Sequence, residues 1–253
     1  MVCSLPEEFL KTYYQGSYWA FVHYEKIIKE ALLELPRKPD VAIEVGCGRG
    51  MATYFLSKNV RHLISIDTDD QCIEIVRRMI HGMDLKNVTL KKTNLEGLSL
   101  DKEVDLIFFK DVIHHMDSPA EYLRSCLPFS KTILIVEANR YNPLLYFLCK
   151  RMDEERLFLE RNSLRNILSI VEKAGWQVVK SSYIESAAYP VGGCYGQFVF
   201  HGNRTFQRMI RSLDRVYRRP RVSSVIDRVE CLMGKVFRPF CSEFIILAKK
   251  AGS

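Results

Sequence analysis

No apolar run in this chain approaches the ~20 residues a helix needs to cross a bilayer, and the first residues lack the basic-then-apolar pattern of a secretory leader. Both absences lead us to expect a cytoplasmic protein. The eight cysteines, Cys3, Cys47, Cys72, Cys126, Cys149, Cys194, Cys231 and Cys241, include no CxxC pair, so reduced thiols are expected. Two histidines stand together, His114 and His115, without the i, i+4 spacing of a helical metal pair, and no metal is expected. No recognised RNA- or DNA-binding module is present. What remains is 253 residues with an ordinary apolar content of 47%, enough for a substantial core, and a formal charge of +7.

The informative stretch is Val41-Ala42-Ile43-Glu44-Val45-Gly46-Cys47-Gly48-Arg49-Gly50, a strand running into a turn with glycine at every second position. Side chains at those glycines would hold a ligand away from the backbone and bar the positive φ that a tight strand-to-helix turn needs. A dinucleotide fingerprint would place its third glycine where Met51 stands. The acid-x-Gly-x-Gly-x-Gly order of Glu44, Gly46, Gly48 and Gly50 instead resembles the first motif of the class I S-adenosylmethionine (SAM)-dependent methyltransferases. The resemblance implies that this turn, Cys47 included, binds the cofactor SAM.

About 20 residues further on, His62-Leu63-Ile64-Ser65-Ile66 reads as a strand ending at Asp67. In the family a matching acid grips the ribose hydroxyls, so Asp67, with Thr68 after it, is expected at the cofactor; helix capping is the alternative, and Asp69 is equally suited to that. Val88-Thr89-Leu90 is a short strand leading to Asn94 and Leu95, where the family places an acid beside the adenine. Asn94 departs from that pattern but keeps an acceptor and a donor. Val104 to Phe109 reads as a buried strand, and Phe109 is counted with the cofactor residues. Asp111, His114 and His115 follow, resembling the small-molecule branch of the family. The Asp/Asn-Pro-Pro-aromatic segment of enzymes that methylate base amines is absent, which argues against nucleic acid as partner.

Further strands are read at 131–138, 177–183 and 243–248. Strand and helix alternation implies an α/β, Rossmann-like, doubly wound sheet with ligands at the carboxyl ends of its strands. The resemblance implies seven strands in the order 3-2-1-4-5-7-6, the last antiparallel. The expected divisions are a helical cap over 1–39, a SAM-binding core over 40–183 and 243–253, and a helical insertion over 184–242 acting as a substrate lid.

The regions outside the shared core are expected to choose the substrate. Tyr14, Tyr18 and Trp19 lie in an aromatic N-terminal run; part of it is core-facing, but aromatic faces attract a sulfonium, so Tyr14 and Tyr18 are assigned to the cofactor and Trp19 to the substrate. The insertion carries ten basic and four acidic residues, a surplus of six in a chain of formal charge +7. Apolar residues recur in it at helical spacing in two runs separated by Arg219-Pro220-Arg221. Its arginines are either a solvated face or a site for acidic groups, including anionic lipid at a peripheral membrane contact. Glu137, Asn139 and Arg140, after the fifth strand, are candidate substrate contacts.

The expectation is therefore methyl transfer by in-line displacement to a small-molecule or lipid-like acceptor. Positioning supplies much of that acceleration, and a base is needed only for a poorly ionised acceptor. His115, then His114 and Asp111, are the candidates. The rivals are a SAM-binding protein that docks on a membrane or partner without catalysis, and an RNA methyltransferase.

Overall fold

Short runs rich in isoleucine, valine, leucine and phenylalanine, buried on both faces, alternate along this chain with helices that begin at recognisable caps, and a covered parallel sheet results. The computed structural model describes residues 18–100, 102–152, 155–184, 200, 202–237 and 240–252. In chain order the elements are α1 (Tyr18–Leu33), β1 (Val41–Val45), α2 (Met51–Asn59), β2 (His62–Asp67), α3 (Asp70–Gly82), β3 (Val88–Lys92) and β4 (Leu106–Lys110). A 3-10 turn (Ile113–His115) and α4 (Pro119–Ser125) precede β5 (Thr132–Ala138), α5 (Pro143–Cys149), α6 (Arg156–Arg161), α7 (Leu164–Lys173) and β6 (Trp176–Ile184). The chain closes with α8 (Arg204–Tyr217), α9 (Pro220–Val236) and β7 (Glu243–Lys250).

The strands form one sheet in the order β3-β2-β1-β4-β5-β7-β6. Register is parallel from β3 to β5: Ile43 stands opposite Ile64 on β2 and Ile107 on β4, and Phe109 opposite Ile135 on β5. β7 runs the other way. Asn139 N–H, just past the end of β5, donates to Ser242 O at 2.7 Å, whereas Lys250 N–H at the far end of β7 donates to Lys131 O at 2.9 Å. The expected order and the antiparallel last insertion are both present. Val104, read as the start of the fourth strand, makes only an isolated bridge to Ser130, and the strand proper starts at Leu106.

Chain direction around the sheet reverses between β1 and β4, opening a crevice at their carboxyl ends where open α/β sheets bind ligands. Ile43, Leu63, Phe108, Phe109 and Leu134 are wholly buried and fix the strands beneath that crevice. Helix starts are locally encoded. Asp69 accepts from Cys72 N–H, Asn142 from Leu144 and Leu145 N–H, Ser163 from Asn166 N–H, and Asn203 from Phe206 N–H.

Internal contacts divide the chain into two compact units, one from the described parts of 28–137, 161–182 and 244–253, the other from those of 1–27, 138–160 and 183–243. Segment 138–160 groups with the insertion because Asn139 Nδ2 donates to Cys241 O and Asn142 Nδ2 to Phe240 O, each at 2.9 Å. The start of α1 joins it because Tyr18 N–H donates to Asp214 Oδ2 at 3.2 Å and the Arg218 guanidinium lies 4.5 Å from the Tyr18 ring centre.

Candidate cofactor and active site

All three glycines of the turn have left-handed backbone, with φ of +69° at Gly46, +51° at Gly48 and +82° at Gly50. Their surroundings differ. A Cβ built on Gly46 would lie 2.7 Å from Val112 Cγ2, and one on Gly50 2.8 Å from Met79 Cε, so these two let the turn pack against its neighbours. A Cβ on Gly48 would meet nothing within 4 Å, which leaves that stretch of backbone open to close approach. Gly46 and Cys47 N–H both donate to Ile66 O, at 2.9 and 3.1 Å, tying the turn to β2.

Asp67 completes the tie. Its Oδ2 accepts from Gly48 N–H at 2.8 Å and its Oδ1 from Asp69 N–H at 3.0 Å. A carboxylate has about four acceptor positions, so each oxygen keeps one for a ligand. The helix cap that Asp67 was also suited to provide is instead Asp69.

Glu44 sits behind the turn, not in it. Its side chain is buried, and its Oε2 accepts from the Thr53 and Ser65 hydroxyls, both at 2.7 Å. Burial pushes its carboxyl up to about 7 against the pull of those two hydroxyls. Glu44, expected at the cofactor, thus braces β1 against α2 and β2 from behind the turn. Cys47 is also buried, and burial raises its thiol far above the ordinary range, so it offers no thiolate.

A cleft of about 170 Å³ opens at the strand ends, lined by Gly46, Asp67, Thr68, Thr93, Asn94, Val112, Met116 and Tyr122 together with Val45 and Ile66. Asp67, Thr68 and Asn94, all expected at the cofactor, are brought together here. Asn94 Oδ1 accepts from Gly97 N–H at 3.0 Å, a turn contact that also fixes the residue's place. Leu95 and Phe109 are fully buried, hence support and not lining. Phe109 meets the Tyr122 ring edge-on at 6.4 Å, and the Tyr122 hydroxyl accepts from Leu95 N–H at 3.4 Å. Burial pushes the Tyr122 phenol up to about 12, so it stays neutral. Thr93, Val112, Met116 and Tyr122 escaped the sequence reading. Val112 and Met116 flank the two histidines, a signal that was available; Tyr122 sits on a separate short helix and gave none.

The loop after β4 is held by a buried polar network. Glu137 Oε1 accepts from Val112 N–H at 2.9 Å and Ile113 N–H at 2.7 Å, while its Oε2 lies 2.6 Å from His114 Nδ1 and accepts from Asn162 Nδ2 at 2.9 Å. Burial alone would raise the Glu137 carboxyl, but His114 and the converging donors bring it below the usual carboxylate range. Glu137, expected at the substrate, and His114, a candidate base, are both buried in this network and hold the loop. His115 is exposed, its ring 4.0 Å from that of His114. Asp111 has left-handed backbone, φ +54°, with its carboxylate on Lys110 Nζ.

Asn139, expected at the substrate, is buried, with its amide on Cys241 O and its Oδ1 accepting from Tyr141 N–H at 3.2 Å. Arg140 donates to Glu160 O at 2.7 Å and lies over the Tyr141 ring. Tyr18 packs under Arg218 in the second unit. Tyr14, and the side chain of Trp19, lie outside the described residues.

A sheet of this order with a glycine turn at the reversal point and an acid one strand over defines the class I, Rossmann-like methyltransferase fold. Residues 43–129 match the family model described as "Methyltransferase domain", so about a third of the chain is similar to that family. Over 162 residues the chain is 29% identical to the mitochondrial ubiquinone biosynthesis O-methyltransferase of Saccharomyces cerevisiae, covering 60% of this chain and 46% of that protein. Over 95 residues it is 25% identical to the ubiquinone biosynthesis O-methyltransferase of Marinobacter nauticus, covering 36% and 39%. The chain thus spans less than half the length of these curated relatives. A SAM-dependent methyltransferase from Aquifex aeolicus shares the fold with a TM-score of 0.52 at 20% identity, covering 69% of this chain and 86% of that one.

Proposed function

We propose that this protein transfers a methyl group from SAM to a small-molecule or lipid-like acceptor. The observation that carries the reading is the joint between the glycine turn and Asp67, made by the 2.8 Å Gly48 N–H to Oδ2 bond beside open backbone. The residues present suit the donor. Asp67 has acceptor capacity left for a ribose diol, Thr93, Asn94 and Tyr122 would hold the base, and the backbone at Gly48 would face the amino-acid portion. When bound, SAM would supply an electrophilic methyl on a sulfonium, with the sulfur as leaving group for an acceptor's lone pair.

The chain's own residues then position, dry and deprotonate. Val112 and Met116 give the cleft an apolar wall, which excludes water from the transfer. Glu137 fixes the loop that carries Val112 through two backbone N–H groups. The curated relatives are named as O-methyltransferases of ubiquinone biosynthesis, which supports an oxygen acceptor. A hydroxyl acceptor must lose its proton, and exposed His115 is the group suited to take it, since imidazole titrates near neutral pH. The test is incubation of purified protein with methyl-labelled SAM and a cell extract. Label in organic-soluble small molecules is expected; label in RNA, or binding without transfer, contradicts the proposal.

A further inference from the structure

Helix α9 carries its apolar residues on the outside. Val225, Val229, Leu232 and Val236, at i, i+4, i+7 and i+11, are between 54% and 64% exposed. At 100° per residue they fall within a stripe about 60° wide. An aliphatic stripe of this kind normally faces a core, and here it faces out. Helix α8 is built alike: it buries Phe206, Ile210 and Tyr217 and leaves Met209, Leu213 and Val216, again at i, i+4 and i+7, exposed.

Charge decides what covers the stripe. Arg221 and Arg228, both exposed, run along one edge of it, while the acidic residues of α9, Asp227 and Glu230, occupy register positions about 130° or more from its midline. On α8, Arg208, Arg211 and Arg215 form an exposed basic row. A second copy would bring like charges together, whereas a surface of phosphate headgroups neutralises them as the aliphatic stripe enters the acyl boundary. The apolar surface also continues beyond α9. Phe240, exposed, accepts through its carbonyl from Asn142 Nδ2, which sets it near exposed Tyr141 and Leu144. No helix among the described residues is long and apolar enough to cross a membrane, so the contact is with the interface.

We propose that the exposed stripe of α9, with its arginine edge and the basic row of α8, is a docking surface for an anionic lipid bilayer. The helix lies flat, its valines and Leu232 below the headgroups and Arg221 and Arg228 among the phosphates. This goes beyond methyl transfer and does not require it.

The test is co-sedimentation of the full chain with sucrose-loaded vesicles of phosphatidylcholine alone and of phosphatidylcholine mixed with phosphatidylglycerol, without SAM. Partitioning to the mixed vesicles is expected, falling at high salt. Arg221→Glu and Arg228→Glu should each reduce it by about fivefold or more. Val229→Glu with Leu232→Glu should reduce it by at least about tenfold even at low salt. Both sites are already exposed, and circular dichroism checks that the variants fold. Absence of partitioning in folded wild type, equal partitioning to both vesicle types, or an unchanged Val229→Glu/Leu232→Glu variant would each overturn the proposal. So would a sedimentation mass that drops from dimer to monomer in that variant, which assigns the stripe to a second copy.

Discussion

Alanine at the three turn glycines should separate folding from cofactor binding. At each position the left-handed backbone alone costs an alanine about 1–2 kcal/mol. At Gly50 the new methyl also meets Met79 Cε at 2.8 Å and Val76 Cγ2 at 3.1 Å, and at Gly46 it meets both Val112 methyls, at 2.7 and 3.1 Å. Overpacking of this kind adds about 1–3 kcal/mol, so Gly46→Ala and Gly50→Ala should lose roughly 2–5 kcal/mol in urea denaturation. Gly48→Ala meets nothing within 4 Å and should lose only the backbone cost of about 1–2 kcal/mol. In the proposed function, the backbone at Gly48 faces the donor, so the new methyl would stand between them. Affinity for S-adenosylhomocysteine, read by calorimetric titration of the folded variant, should fall by at least about tenfold, or 1.4 kcal/mol. A Gly48→Ala protein that binds like wild type, or one that is less stable than Gly50→Ala, would refute this account of the turn.

Three further outcomes follow from the buried and exposed acid–base groups. Glu44 has a folded carboxyl at about 7 against an ordinary 4.5, so its favourable contribution is complete below 4.5 and is lost as pH rises through 7. Wild type should forfeit about 3 kcal/mol over that window relative to Glu44→Gln, and parallel stability curves for the two proteins would contradict the burial argument. Glu137 has the opposite sign: its carboxyl is held low, its contribution is present above the ordinary carboxylate range and disappears as pH falls through the folded value. Glu137→Ala, which strands His114, Asn162 and two backbone donors in the interior, should cost about 3–5 kcal/mol at neutral pH by urea denaturation; less than about 1 kcal/mol would mean the network does not hold the loop. His115→Ala should lower turnover by about a hundredfold and flatten the acid limb of the pH profile while leaving stability nearly unchanged, and retention of full activity would remove it as the base.

The strands were legible because most are short runs rich in β-branched and aromatic residues, and all seven lie within two or three residues of their expected positions. Their order was not in those runs; it came from the resemblance carried by Glu44, Gly46, Gly48, Gly50 and Asp67. The division of labour among these residues was hidden. Glu44 and Glu137 both stand in or at the end of strands, where a polar residue at a carboxyl end suggests a ligand, yet both point into the protein and find hydroxyls or amides there. Burial depends on what other segments bring, and Asn162, 48 positions from His114, has no local mark of its role. Tyr122 reached the cleft for the same reason, through a short helix begun by Pro119 and not through any motif. The capping residue Asp69, by contrast, acts within three residues of itself and was readable as such.

In the proposed function, Asp67 and the glycine turn together hold the methyl donor. Calorimetric titration of the wild-type protein with S-adenosylhomocysteine, repeated on Asp67→Ala, addresses it most directly. Saturable binding to one site is expected in wild type and an affinity about a hundredfold weaker in the variant, from the loss of two hydrogen bonds to a charged acceptor. No heat in folded wild type, or equal affinity in the two proteins, would contradict it.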